Sequence, residues 1–199
     1  MLVRELAVEG ALAFTPNVFK DHRGSFTSPY QDAEFVQRVG GPPFPVRQVS
    51  HSRSARGVLR GVHYTATPPG MAKYVFCPSG QIQDFVVDLR VGSPTFGRWD
   101  TVRLDAENGS ALYVPVGVGH AFVALQDDSV TVYLMSQGFV PKNDLAVAAL
   151  DPGIGLPLPK NVEPIQSGRD SSAPTLEQAL SKGLLPEYEA CMDGTGLPL

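Results

Sequence analysis

Gly57-Val58-Leu59-Arg60-Gly61-Val62-His63-Tyr64, the run GVLRGVHY, sets glycines among valine, leucine and tyrosine, which is strand and turn composition. Outward from it the same theme recurs about every ten residues, as in sandwiches and barrels, from Phe44 to Leu134. Candidate strands run over 46–53, 57–64, 72–77, 81–90, 99–104, 110–114, 120–125 and 129–136, parted by Gly, Pro, Asn and Asp. Antiparallel strands in such number, with no helix between them, predict an all-β jelly roll.

The flanks differ from this core. Residues 2–15 read as one or two short strands, and VFKDHRGSF, residues 18–26, as a strand, a turn at Asp21-His22-Arg23-Gly24 and a return strand. QDAEFVQRV, residues 31–39, is the only helical pattern in the first half, stopped by Gly40-Gly41-Pro42-Pro43. Beyond Tyr133, residues 141–172 are rich in Pro, Gly, Asn and Asp and are expected to wrap over the barrel as ordered loops. A short helix is expected over 175–182, with Thr175 as N-cap and Gly183 as its end. The tail CMDGTGLPL is expected to fray. This reading gives one domain over 1–199, with a barrel core at about 44–136 and a wrap and C-terminal helix at 137–199.

Composition narrows the function classes. The 199 residues carry a net charge of −4, so no global field draws nucleic acid or an anionic membrane, and any anion site must be a local cluster of Arg and Lys. Cys77 and Cys191 lie far apart with no CxxC spacing, which fits a reducing compartment. MLVRELAVEG has charges at positions 4, 5 and 9 and no long apolar run, so neither a signal peptide nor a membrane span is expected, and the protein is expected in the cytoplasm.

Strand parity indicates which side chains can look into the barrel. Gln48, Ser50 and Ser52 share one face, opposite Arg47, Val49, His51 and Arg53, and a row of small neutral polar groups suits a ligand cavity. Lys73 goes with Val75 and Cys77; Tyr133 goes with Thr131 and Met135, against Val130, Val132 and Leu134, which are expected on the packed side. Arg60 and His63 have opposite parity. Both reach one ligand only if the strand bulges at Gly61 or if Arg60 comes round a rim. With Lys73 they place two cations and a titratable base together, which suits an anionic substrate and proton transfer.

Four histidines are present: His22, His51, His63 and His120. A metal centre of the kind such barrels hold needs a second His two residues from His63, and that position is Thr65, so a metal-free site is expected. His22 and His51 are expected at the surface or at a strand end. An arginine at a turn tip, such as Arg23, reads by itself as a solvated charge.

The blocks VFKDHRGSF, GVLRGVHYT, AKYVFCPSGQIQDFVVDLRVGSPTFGRW, YVPVGVGHAFVAL and QSGRDSSAP resemble, in order and spacing, the dTDP-4-dehydrorhamnose 3,5-epimerase family, a metal-free branch of the cupin jelly rolls. The resemblance implies a cupin-type jelly-roll barrel with short flanking helices and the epimerisation of a dTDP-4-keto-6-deoxyhexose. A proton alpha to the C-4 ketone is removed on one face and returned on the other through an enolate. By position, His63 matches the base, Asp170 the carboxylate that orients it, Lys73 the cation for the enolate oxygen and Tyr133 the acid; Asp84 is a second candidate partner for His63. Arg23, Arg60 and Arg169 match diphosphate-side contacts, Gln48 and His120 match sugar or nucleotide contacts, and Phe139 matches the ring stacked on thymine. The family implies no redox or metal cofactor, and a homodimer. Ser28, Ser50 and Thr65 stand where the family usually has Glu, Asn and Gln, and Gly138-Phe139 replaces an aromatic pair. With Ser50 among the substrate contacts, these shortened arms favour inversion at C-3 alone, as in antibiotic deoxysugar pathways. The alternatives are a 3,5-double epimerase, a non-catalytic sugar-binding cupin and a metal-dependent cupin enzyme.

Overall fold

In a computed structural model, which describes residues 1–192, thirteen strands alternate with little helix. In chain order they are β1 (Leu2–Glu5), β2 (Leu12–Thr15), β3 (Val18–Asp21), β4 (Gly24–Thr27), β5 (Gln48–Ser54), β6 (Leu59–Thr65), β7 (Lys73–Ser79), β8 (Gln81–Asp88), β9 (Trp99–Asp105), β10 (Ala111–Val114), β11 (Val118–Ala124), β12 (Ser129–Met135) and β13 (Asp144–Ala146). The helices are α1 (Asp32–Val39), α2 (Gly168–Ser171) and α3 (Leu176–Ser181). All eight core strands fall where the composition places them, with ends moved by at most two residues. What the periodicity did not reveal is β13 and α2, two short elements inside the Pro- and Gly-rich wrap.

Two antiparallel sheets form the barrel. One has the order β1-β2-β10-β7-β12-β5 and the other β13-β6-β11-β8-β9, while β3 and β4 pair apart as a free-standing hairpin. The lumen is filled from both sheets by Val75, Cys77 and Leu112 on one side and Ile82, Val86, Leu104 and Phe122 on the other. Alternation explains this, since residues two apart share a face. Gln48, Ser50 and Ser52 are half-buried while Val49, His51 and Arg53 are exposed. The expectation for Val130, Val132 and Leu134 is corrected: they stand on the outer face and are only half-buried, whereas Thr131, facing inward, is fully buried. Apolar identity is a poor guide here because that outer face is itself part of a second apolar layer.

Each outer face has its own cover. On the six-stranded sheet, α1 lays Phe35 among Phe14, Phe44, Tyr74 and Tyr113, with ring centroids 5.1 to 6.2 Å apart. Such aromatic pairs each add about 0.5–1.5 kcal/mol beyond burial. Asp32 and Glu34 in the first turn and Arg38 in the last complement the helix dipole, and Gly40, at φ 81°, closes the helix by donating its N–H to the Val36 carbonyl. On the five-stranded sheet the wrap supplies Val147, Ala149, Ile154, Ala179 and Leu185, which seal Leu59, Phe85, Val87 and Val123. It is stitched down by backbone bonds, among them Ile165 N–H to Gly57 O and Leu59 N–H to Ile165 O. The helix expected over 175–182 forms as α3, with a full capping box between Thr175 and Gln178. The expected fraying does not begin at Cys191, which is buried; residues 193–199 of that expectation lie outside the described residues.

Candidate active site

A cavity of about 570 Å3 opens between the two sheets, lined by Gln48, Ser50, Arg60, His63, Thr65, Lys73, His120 and Tyr133 among others. The parity conflict between Arg60 and His63 is resolved by a bulge. His120 pairs with His63 and Phe122 with Arg60, so β6 spends one residue more than β11 over this span. Gly61, at φ +116°, makes the bulge possible. A side chain there would meet the His120 carbonyl oxygen at 2.5 Å and the Ala121 Cβ at 2.6 Å.

The one-turn helix α2 delivers the partner of His63. Ser167 caps it by accepting the Asp170 N–H, and Asp170, buried behind the cavity wall, places Oδ1 2.7 Å from His63 Nε2. The sequence left Asp170 and Asp84 open as partners; the geometry gives His63 to Asp170 and puts Asp84 against His120, at 2.7 Å. A carboxylate accepts, so Nε2 of His63 carries the proton and Nδ1 is left with a lone pair. Burial pulls the His63 imidazole below its ordinary value, while Asp170 pushes it back up. The imidazole is therefore neutral, and a competent base, around neutral pH.

Lys73 and Tyr133 approach from the opposite sheet. Nζ of Lys73 lies 3.5 Å from the His63 carbonyl oxygen, and its enclosure lowers the ammonium's pKa against the upward pull of Asp144 and Asp84. Tyr133 shares a hydrogen bond of 3.1 Å with Ser52, and burial pushes its phenol up to about 12, so it stays protonated. Gln48 is held by two contacts. Its Nε2 donates to Ser50 Oγ at 3.0 Å, and its Oε1 accepts the backbone N–H of Phe139 at 2.8 Å, which fixes the strap that carries that half-exposed ring.

Two expected anion contacts are not brought to the cavity. Arg23 stands on the β3–β4 hairpin, paired with Asp21 and 79% exposed, away from the lining residues. Arg169 is turned to Asp144, donating to its carboxylate at 2.6 Å and its carbonyl at 2.8 Å. Ser28 is likewise not among the lining residues. Conversely Asp144, on β13, does line the cavity and was not anticipated. The one signal for it was the need of an arginine in the wrap for a counter-charge. His22 and His51 are exposed, and among the described residues no group of three or more His, Cys, Asp or Glu is placed to hold a metal ion.

Comparisons with known proteins place the chain in a family. The family profile described as dTDP-4-dehydrorhamnose 3,5-epimerase matches residues 5–178. A dTDP-4-dehydro-6-deoxyglucose 3-epimerase of Streptomyces bikiniensis is 48% identical over 185 residues, 93% of this chain and 94% of the relative. A dTDP-4-dehydrorhamnose 3,5-epimerase of Streptomyces griseus is 46% identical over 190 residues, 96% of this chain and 94% of the relative. Among solved structures, a double mutant of ChmJ, a 3'-monoepimerase from Streptomyces bikiniensis, in complex with dTDP, superposes with a TM-score of 0.89 at 46% identity, covering 94% of this chain and 93% of that one. Its two changes are histidine to asparagine and tyrosine to phenylalanine. A cupin-like barrel with a carboxylate-paired histidine facing a lysine and a tyrosine, and these likenesses across nearly the whole chain, lead to one assignment: the chain belongs to the dTDP-4-dehydrorhamnose 3,5-epimerase family.

Proposed function

We propose that this chain inverts C-3 of a dTDP-4-keto-6-deoxyhexose, with His63 as base and Tyr133 as acid. The observation that carries the reading is that the two come from opposite sheets of the barrel and line one cavity. A hexose ring held between the sheets turns one face to each, which is what removal and return of a proton on opposite faces requires. Nδ1 of His63 takes the C-3 proton, the electron pair passes to the C-4 oxygen, and the Lys73 ammonium stabilises that enolate. Reprotonation from the Tyr133 hydroxyl on the other face completes the inversion, and Asp170 keeps the imidazole in the working tautomer and balances its charge. The histidine and tyrosine altered in the ChmJ double mutant have the same separation in sequence as His63 and Tyr133, which supports the pairing of roles.

The choice of C-3 rests on the cavity wall. Ser50 and Thr65 line it with short side chains where longer polar arms would guide the ring between two deprotonations. Turnover of dTDP-4-keto-6-deoxyglucose in D2O, followed by NMR, tests this. Deuterium at C-3 alone is expected; comparable labelling at C-5 at matched turnover would show a double epimerase, and no labelling at either carbon would leave a binding protein.

The active form is proposed to be a homodimer in the cytoplasm, each chain forming a single domain over 1–199. The β3–β4 hairpin bares Phe19 at 64% and Phe26 at 68% exposure beside Arg23, an unfavourable surface for a lone chain. Covered by a second copy, it would let Arg23 serve a diphosphate across the subunit boundary. Both cysteines are free and buried, which fits a reducing compartment. Sedimentation showing monomer alone at micromolar protein would refute the dimer.

A further inference from the structure

Among the described residues, one hydroxyl alone is buried without a hydrogen-bond partner: Oγ1 of Thr131, a residue with no exposed surface. A valine has the same shape and leaves nothing unsatisfied, so a threonine there costs stability and asks for a reason in function. The strand register supplies its neighbours. On β12, Thr131 stands directly across from Ser52 of β5, and Tyr133, two residues on, stands across from Ser50. All four share the inward face, and the Tyr133 hydroxyl reaches back along the diagonal to share its 3.1 Å bond with Ser52 Oγ. Tyr133 and Ser50 line the cavity, whereas Ser52 and Thr131 do not, which puts these two behind the phenol and away from the sugar.

The groups around the phenol pull in both directions. Burial raises the Tyr133 pKa and Asp84 on β8 raises it further, while Ser52 on β5, Arg60 on β6 and Thr131 on β12 itself lower it. His120 on β11 meets the ring edge-on, with centroids 6.1 Å apart, and Lys73 on β7 lines the same cavity. Thr131 Oγ1 is thus near enough to act on the phenol, yet no hydrogen bond to it is formed while the phenol is neutral. The chemistry of the phenol explains this. With its one proton aimed at the substrate it accepts from Ser52, whereas a phenolate has a further lone pair and a full charge and takes a second donor.

We propose that Ser52 and Thr131 are positioning residues for the acid of the epimerisation, their two hydroxyls donating to the phenolate oxygen of Tyr133 once its proton has gone to C-3. This rests on the function proposed above for the same cavity. As the new C–H bond forms at C-3, the O–H bond of Tyr133 breaks and its electron pair stays on the phenolate oxygen, to which Ser52 Oγ and Thr131 Oγ1 both donate. Water then returns a proton to Tyr133, and His63 releases to water the one it took. The bond from Thr131 exists only as charge develops, so it lowers the barrier without tightening the hold on the substrate. A hydroxyl left unpaired beside the neutral phenol is what such a device looks like before the proton moves.

Thr131→Val tests this, because it deletes the hydroxyl and keeps the shape. The variant is expected to melt no lower than wild type, to lose about tenfold in kcat and to keep KM within about threefold, with Thr131→Ser restoring most of the loss. The phenol itself is read by placing difluorotyrosine at position 133, whose greater acidity brings ionisation into a pH range the fold survives, and following it by fluorine NMR. In that background Thr131→Val and Ser52→Ala are each expected to raise the midpoint by about one pH unit, the same tenfold. Midpoints that stay within about 0.2 pH units of the parent in both variants overturn the proposal, and so does an unchanged kcat. A lower melting point with an unmoved midpoint would make Thr131 structural and overturn it equally. Should Thr131→Val fail to fold, Ser52→Ala decides by the same readings. A wild type that does not turn over the keto sugar would refute the proposed function instead, and the midpoints would still decide the hydroxyl pair.

Discussion

Replacing Gly61 by alanine tests the bulge on which the site depends. At φ +116° an L-residue is strained, at a cost on the order of 1–3 kcal/mol. The new Cβ would also lie 2.5 Å from the His120 carbonyl oxygen, 2.6 Å from the Ala121 Cβ and 2.7 Å from its Cα, all on or next to backbone that cannot swing aside. Overpacking of that kind adds roughly 1–3 kcal/mol. The expected destabilisation is therefore about 4 kcal/mol, and a chain of this size loses roughly 2–4 °C in Tm per kcal/mol, so a fall of about 8–16 °C is expected in thermal unfolding. Activity should fall further than the folded fraction explains. Straightening the strand by one residue turns either Arg60 or His63 out of the cavity, because every side chain beyond the slip changes face. Circular dichroism gives the melting point, and deuterium exchange at C-3, measured well below it, gives the second reading. A variant that melts within about 2 °C of wild type and exchanges at more than half its rate would refute the reasoning.

The remaining predictions concern the proton path. His63→Asn is expected to lower turnover by at least about 10³-fold while dTDP still binds within a few-fold, as calorimetry would show; parallel loss of binding and fold would make the residue structural. Because the His63 pKa is lowered by burial, the acid limb of kcat/KM should lie below the ordinary imidazole value of 6.5, the neutral base persisting as pH falls. Asp170→Asn removes the chief influence raising that pKa, so the limb should move lower still, with a loss of about 10²-fold that is smaller than for His63→Asn; a limb displaced upward would contradict this assignment.

How much of this was legible depended on whether a residue's destination is set locally. Ser50, Lys73 and Tyr133 were placed correctly from strand parity alone, because in a barrel two residues of the same parity on one strand share the lumen. The Gly61 bulge was half legible for the same reason, as one of two ways out of a parity conflict, the other being an Arg60 that comes round a rim; the register decides for the bulge. Arg23 and Arg169 were not, because each is taken up by a carboxylate that a motif does not announce: Arg169 by Asp144, 25 residues earlier, and Arg23 by Asp21 of its own hairpin. Val130, Val132 and Leu134 misled because on β12 the apolar residues face outward, where Leu134 joins the aromatic layer, while the inward face carries Thr131 and the cavity-lining Tyr133. The contact of Asp84 with His120 left no trace in spacing at all. It arises from register between two strands that are neighbours in the sheet but far apart in sequence.

The one-turn helix that carries Asp170 also bears on how the protein comes into being. Asp170 reaches His63 across 107 residues, and its seat is made by the wrap pinned along the start of β6 through Gly57, Leu59 and Ile165. A ribosome therefore releases every strand of the barrel, and the whole of the lined cavity, before it releases the carboxylate that completes the base. During synthesis the nascent chain therefore carries every residue that lines the cavity before it carries the one that completes the base, and the end of the wrap that seals the five-stranded sheet, Ala179 and Leu185, comes later still.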